Sequence, residues 1–306
     1  MDNLQTIIDD YLDFCENQKR LDSKTLRAYK IDLAQFSARI AKENVSDIST
    51  DILERFIADL HRSYKPKTVK RKLASIKALF RYMEYRDYIA VTPFNKIYVK
   101  FREPVLLPKT IPLTVIEKLL STIYIQREKA ETFYKRRSAL RDAAVIEMLF
   151  ATGIRISELC SLKAENVDLR EYSVLIYGKG SKERCLQIGN TDVRRILNEY
   201  YSEFQKEISC CGYFFVNQCS RPLSDQAVRR MIRHYSSLAG VDLHITPHMF
   251  RHTFATSLLE ADVDIRYIQE MLGHSSINIT QIYTHVTMAK QMDILATKHP
   301  RKNLRV

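Results

Sequence analysis

The sequence predicts a mainly α protein with a small β-sheet, divided into two domains, and three observations carry that prediction. All seven glycines (153, 178, 180, 189, 212, 240 and 273) lie at or beyond residue 153. Turns and bulges draw on glycine, so a first half without any reads as consecutive helices. Three of the eight prolines (104, 108 and 112) crowd into "FREPVLLPKTIPLT", where missing amide hydrogens and fixed dihedrals oppose both helix and sheet. That run is a linker, 102–113, between a domain at 1–101 and another at 114–306. One segment alone, "YSVLIYGKGSKERCLQIG", alternates like paired strands around a glycine turn.

In chain order, "SKTLRAYKIDLAQFSARI" spaces Leu26, Tyr29, Leu33, Phe36 and Ile40 by three and four, with Ser23 available as N-cap. "KTVKRKLASIKALFRYMEY" buries Val69, Leu73, Ile76, Phe80 and Met83, and leaves Lys67, Lys70, Arg71, Lys77 and Arg81 largely elsewhere. Residues 62–72 hold six basic side chains and no acid, which fits a solvated face or a phosphate-contacting one. Past the linker, a helix opens at Thr114, the basic stretch "YIQREKAETFYKRRSALRD" follows, and the apolar helix "DAAVIEMLFATG" stops at Gly153 as C-cap. The hairpin pairs 173–177 with 184–188, and 191–300 is again mostly helical.

Lys and Arg (48) outnumber Asp and Glu (36), giving a formal charge of +12, so the partner is a polyanion: nucleic acid or an anionic membrane surface. No apolar run approaches the roughly 20 residues that span a bilayer, and the acidic, amphipathic start "MDNLQTIIDDYLDF" is unlike a signal peptide. These features predict a cytoplasmic protein. Six cysteines without a C-x-x-C pair argue against structural zinc and a disulfide framework.

The chemistry-bearing segments are weak singly. "TPHMFRHTFAT" starts a helix at Pro247, with Phe250, Phe254 and Leu258 as its core stripe and His248 and Arg251 facing outward together beside it. His244, His248 and His252 recur every four residues, but Pro247 interrupts a common helix and no carboxylate sits at ligand spacing, so no metal is predicted. "ATGIRISELCSL" brings Arg155 out at a helix junction with Glu158 able to brace it. "YGKGSKER" puts Lys179 at a hairpin tip. "LGHSSINITQIYTHV" offers His274 just after Gly273, and Tyr283 on a following short helix.

In this order, "TGIRISEL", "GKGSKER", "HMFRH", "LGHSS" and "YTH" resemble the tyrosine recombinase (phage integrase) family, with conservative apolar changes at Ile154 and Met249. The resemblance covers the whole chain, and the tail "DILATKHPRK" is similar to the end of Xer-type recombinases. It implies a helical, SAM-like core-binding domain and a mixed α+β tyrosine-recombinase catalytic domain, forming a C-shaped clamp on DNA. In-line attack on a phosphodiester adds charge to the nonbridging oxygens, which fixed guanidinium groups neutralise without metal. By the resemblance Arg155 and Arg251 form that pair, and His274 hydrogen-bonds a nonbridging oxygen. Tyr283 attacks to form a 3′-phosphotyrosyl bond with His248 as base. Lys179 protonates the leaving 5′-oxygen, with Lys182 the competing assignment. Glu158 orients Arg155 or His248, and His252 is structural.

The ester stores the energy of the broken bond, so no cofactor or ATP is implied. Two strand exchanges through a Holliday junction require four protomers, a homo-tetramer joined by docking residues 287–300 into a neighbour. Lys24, Arg27, Lys67, Lys70, Arg71, Lys77, Arg136, Arg137 and Lys182 are the DNA-contact candidates. A core-binding domain starting near residue 1 favours Xer-type dimer resolution, with an accessory DNA translocase as a further partner. A mobile-element recombinase is the alternative, since 124–141 is longer than the corresponding Xer segment. A type IB topoisomerase, a catalytically silent DNA-binding protein and a metal-dependent nuclease are the other competing classes.

Overall fold

A computed structural model describes residues 3–40, 44–98, 109–178, 183–261, 263–273 and 288–304, with backbone alone for 288–291. The chain divides into two compact units, Met1–Leu106 and Leu107–Val306.

Among its described residues, the regular elements of the first unit are helices, with one isolated bridge between Asn3 and Asn44. α1 (Leu4–Asp13) runs into a single wide turn at Phe14–Gln18, and α2 (Ser23–Ile40), α3 (Thr50–Ser63) and α4 (Pro66–Tyr85) follow. Leu33, Phe36, Leu53, Val69, Ile76 and Phe80 meet in one core, with the rings of Phe36, Phe56 and Phe80 packed edge to face. The cap of α2 differs from expectation. Asp22, one residue earlier than Ser23, accepts the Thr25 amide hydrogen at 2.9 Å, since a carboxylate also complements the positive helix end. Asp32, which is not part of the apolar stripe of α2, is buried because Lys72 reaches it at 3.0 Å and Arg71 closes over it. Leaving that carboxylate unpaired would be costly.

In the second unit, α5 (Leu113–Glu128) and α6 (Phe133–Thr152) pack on each other, and α6 is buried almost continuously from Ala139 to Thr152. α6 also packs on α8 (Thr191–Cys211) and α10 (Pro247–Glu260), so it is the axis of the unit. It ends where predicted, with Gly153 at φ 61°. The short helix α7 (Ile156–Cys160) follows at once. The hairpin forms from β2 (Ser173–Tyr177) and β3 (Glu183–Gln187), in antiparallel register from Ser173↔Gln187 to Tyr177↔Glu183. A two-residue strand β1 (Val167–Asp168), absent from the sequence reading, pairs with the outer edge of β2. The remaining helices are α9 (Asp225–Leu238), α11 (Ile265–Leu272) and α12 (Met288–Lys298).

The tail seats on its own unit. Ile294, Leu295 and Leu304 join the core. Arg301 is buried against Glu147 at 3.0 Å, and the Tyr124 hydroxyl donates to the same carboxylate at 2.8 Å. The Arg301 amide donates to Nδ1 of His299, so the ring proton sits on Nε2, which donates to the Phe150 carbonyl at 2.8 Å. Among the described residues no helix is long and apolar enough to cross a membrane, and no three His, Cys, Asp or Glu side chains group as a metal site.

Candidate active site

Three helix junctions converge on one cluster of arginines. Gly153, in the left-handed conformation, turns the chain sharply out of α6, and Arg155 becomes the N-cap of α7. Glu158, three residues on, accepts the Arg155 amide hydrogen through Oε2 at 2.8 Å and the Arg155 Nη1 hydrogen through Oε1 at 2.7 Å. The carboxylate thus caps the helix and fixes the guanidinium.

Arg251 differs from expectation. His248 lies exposed on the first turn of α10, but Arg251, one turn later, is buried. Its Nη1 donates to the Gly153 carbonyl at 2.9 Å and its Nη2 to the Leu272 carbonyl at 2.6 Å. These carbonyls close the C-termini of α6 and α11, the negative ends of two helix dipoles, and they draw the cation inward. Burial first, and then the neighbouring Arg155, pull the Arg251 guanidinium down to about 10, which leaves it charged at neutral pH.

A third arginine was not singled out from sequence. Arg184 on β3 pairs across the hairpin with buried Ile176, and so points inward. Its Nη2 meets Glu158 Oε2 at 2.6 Å, and its Nε donates to the Met271 carbonyl at 2.9 Å. Burial alone would raise the Glu158 pKa, but hydrogen bonds from Arg184 and from Arg155 outweigh it and hold the carboxyl below its ordinary value. Arg155 and Arg184 therefore share one carboxylate while Arg251 is held by carbonyls alone, so the three cations exceed Glu158 by two positive charges in a partly dry site. A singly charged phosphodiester complements such an excess. Burial, followed by the charges of Arg229, His252, Arg251 and Arg155, lowers the His248 pKa, so its imidazole is neutral and able to accept a proton at pH 7. Thr246 takes the extended N-cap conformation before Pro247, but its hydroxyl makes no capping bond.

Lys179, Lys182, His274 and Tyr283 lie outside the described residues. Among the DNA-contact candidates, Lys24 and Arg27 are exposed on the first turns of α2, and Lys67, Lys70 and Arg71 along α4. Lys77 is half-buried with its ammonium over the Phe94 ring. Arg136 is exposed. Arg137 is engaged within the protein instead, pairing with Glu203 at 3.0 Å and Glu207 at 2.7 Å and stacking on Phe204 of α8. Two carboxylates of the same unit therefore share its charge.

A basic face also escaped the sequence reading. In α9 "DQAVRRMIRHYSSL", Val228, Met231, Ile232 and Tyr235 are buried, and Arg229, Arg230, Arg233 and His234 are exposed on the opposite side. Helical periodicity across this segment would have revealed it. Tyr235 anchors the helix by donating to buried Asp142 at 3.2 Å.

Residues 116–290 match the phage integrase family and residues 8–86 match the phage integrase N-terminal SAM-like domain. A tyrosine recombinase of Agathobacter rectalis is 63% identical over 99% of both chains. The tyrosine recombinase XerC of Thermodesulfovibrio yellowstonii is 34% identical over 98% of both. In fold, the chain is similar to the XerH site-specific recombinase bound to its difH substrate, at a TM-score of 0.68 and 21% identity, covering 97% of this chain and 82% of that one. Arginines braced by a shared carboxylate, a neutral histidine beside them, and relatives matched over nearly their full length agree, and the chain belongs to the phage integrase family as a tyrosine recombinase of the Xer type.

Proposed function

We propose that the chain cuts and rejoins DNA strands at a specific site through a 3′-phosphotyrosyl intermediate. The observation that carries this reading is the arginine cluster, Arg155 and Arg184 on Glu158 and Arg251 on the carbonyls of Gly153 and Leu272, with neutral His248 at its rim. The Tyr283 phenol oxygen attacks phosphorus, its proton passes to His248, and the P–O5′ bond breaks with Lys179 protonating the leaving oxygen. Arg155 and Arg251 neutralise the charge that develops on the nonbridging oxygens, and His274 adds a hydrogen bond there. A 5′-hydroxyl from another strand reverses the step, so each exchange conserves the bond energy. The exposed cations of α4 and α9, with Lys24, Arg27, Arg136 and Lys182, contact the duplex.

Two such exchanges resolve a Holliday junction, which takes four protomers. The buried seat of residues 294–304 supports exchange of the tail between them, because a neighbour's tail would make the contacts that the chain's own tail makes here. Resolution of replicon dimers in the cytoplasm, with a DNA translocase setting the order of exchange, is the role that fits the Xer-type relatives.

The test is a suicide duplex nicked next to the scissile phosphate. The wild-type chain yields an adduct that survives SDS and persists in EDTA, and Tyr283→Phe yields none. An adduct that persists in Tyr283→Phe removes the nucleophile assignment, and one that disappears with EDTA favours a metal-dependent nuclease.

A further inference from the structure

We infer that Arg184 is a positioning residue for the arginine pair: one buried guanidinium holds both the carboxylate that orients Arg155 and the helix end that Arg251 grips. Three bonds define the arrangement. Nη1 and Nη2 of Arg184 meet Oε1 and Oε2 of Glu158 at 3.1 and 2.6 Å, and Nε donates to the Met271 carbonyl at 2.9 Å. Each oxygen of Glu158 is thus shared. Oε1 also receives Arg155 Nη1 at 2.7 Å, and Oε2 also receives the Arg155 amide at 2.8 Å. The next carbonyl along α11, that of Leu272, is the one that Arg251 Nη2 holds at 2.6 Å.

Arg184 therefore connects α7, β3 and the last turn of α11 from a side chain only 8% exposed. Gly273 lies against it so closely that a Cβ there would sit 3.1 Å from Arg184 Cδ. Were Arg184 absent, Glu158 could rotate with Arg155, and the carbonyl row that seats Arg251 would lose one of its two cationic clasps. Lysine cannot substitute, because one ammonium cannot make a planar fork on the carboxylate and a third bond at its edge. Nothing in this geometry requires Arg184 to touch DNA, so its effect on catalysis passes through Arg155 and Arg251. The inference rests on the proposed strand-cleavage reaction.

The test compares Arg184→Lys with the wild-type full-length chain on two suicide duplexes, one with an ordinary scissile phosphodiester and one with a neutral methylphosphonate there. The neutral linkage lacks the charge that the arginine pair neutralises. Adduct formation by Arg184→Lys should fall about 10–100-fold on the phosphodiester and less than about 3-fold on the methylphosphonate, with the chain still folded by circular dichroism at the assay temperature. Equal loss on both substrates, or no loss on either, overturns the inference. A second readout needs no reaction: the side-chain Nε–H resonances of Arg155 and Arg251 should shift in Arg184→Lys, and unmoved resonances overturn it as well. If the lysine variant fails to fold, Arg184→Gln takes its place in both measurements. A wild-type chain that forms no adduct on either duplex refutes the proposed reaction instead, and the resonances still decide whether Arg184 positions the pair.

Discussion

His248 sits at the surface yet is held neutral by its surroundings, and this sets the pH range in which it can take a proton. Burial lowers its pKa first and the charge of Arg229 second. A lowered pKa means the imidazole still lacks a proton at pH values where a free histidine has begun to gain one. The rate of adduct formation should therefore hold down to below about pH 6.5 before its acid limb begins. Arg229→Ala removes a repelling charge, so the limb should move to higher pH. A limb that stays put in that variant would take His248 out of the proton-accepting role. Arg155, Glu158, His248 and Arg251 stand out in the sequence as candidates, because each stands at a helix start or junction that Gly153 or Pro247 marks. The burial of Arg251 was not legible. It depends on carbonyls of two helices far away in sequence, and helical periodicity reports only a residue's own face. Arg184 was hidden for a similar reason: its partners are Glu158 and the Met271 carbonyl, 26 and 87 residues away.

At the scale of elements, two C-cap glycines separate backbone strain from steric conflict. Gly153 and Gly212 have φ of 61° and 73°, and a Cβ on Gly153 would lie 2.7 Å from Phe254 Cδ1, whereas one on Gly212 meets nothing within 4 Å. Gly212→Ala should cost about 1–2 kcal/mol of unfolding free energy from left-handed strain alone. Gly153→Ala should cost more than that, roughly 3–5 kcal/mol, because the Phe254 ring must also move. Urea unfolding of the two variants checks the difference, and equal losses would mean that α10 yields freely at Phe254. The neighbouring arginines Arg136 and Arg137 should separate in the same spirit. Arg137→Ala should lower stability by about 1–3 kcal/mol, since Glu203 and Glu207 lose their partner, and leave the salt dependence of DNA affinity unchanged. Arg136→Ala should do the reverse, flattening the salt slope by about one contact at unchanged stability. A sequence window shows both as basic residues in a polar run, because the acidic residues that claim Arg137 lie on α8. The long apolar helices were readable at their ends, whereas β1 was not: two residues carry too short a pattern, and their strand character comes from pairing with β2.

For the whole molecule, the tail decides how the second unit responds to acid. Burial pushes the His299 pKa down to about 4, while an unfolded histidine binds its proton near 6.5. Protons therefore favour the unfolded chain throughout that window: the stability that neutral His299 contributes is full above about pH 6.5, is lost as pH falls through the window, and changes no further below about pH 4. Unfolding midpoints measured between pH 7 and 4 should decline, and His299→Gln should flatten the decline; an unaltered slope would show that the tail is not seated in solution as described. Division into two units and the basic balance were both readable from composition. The seat of the tail was not, since nothing in "DILATKHPRK" names Glu147 or Phe150 as its neighbours. One glycine of that seat carries a further consequence. A Cβ on Gly189 would lie 2.6 Å from the backbone nitrogen of Ala296, so the floor of the seat admits the tail only while residue 189 has no side chain. A Gly189→Val chain would keep its own tail as a key and lose its keyhole: in an assembly that hands tails around a ring it could donate and never receive, and four such chains could not close the circle.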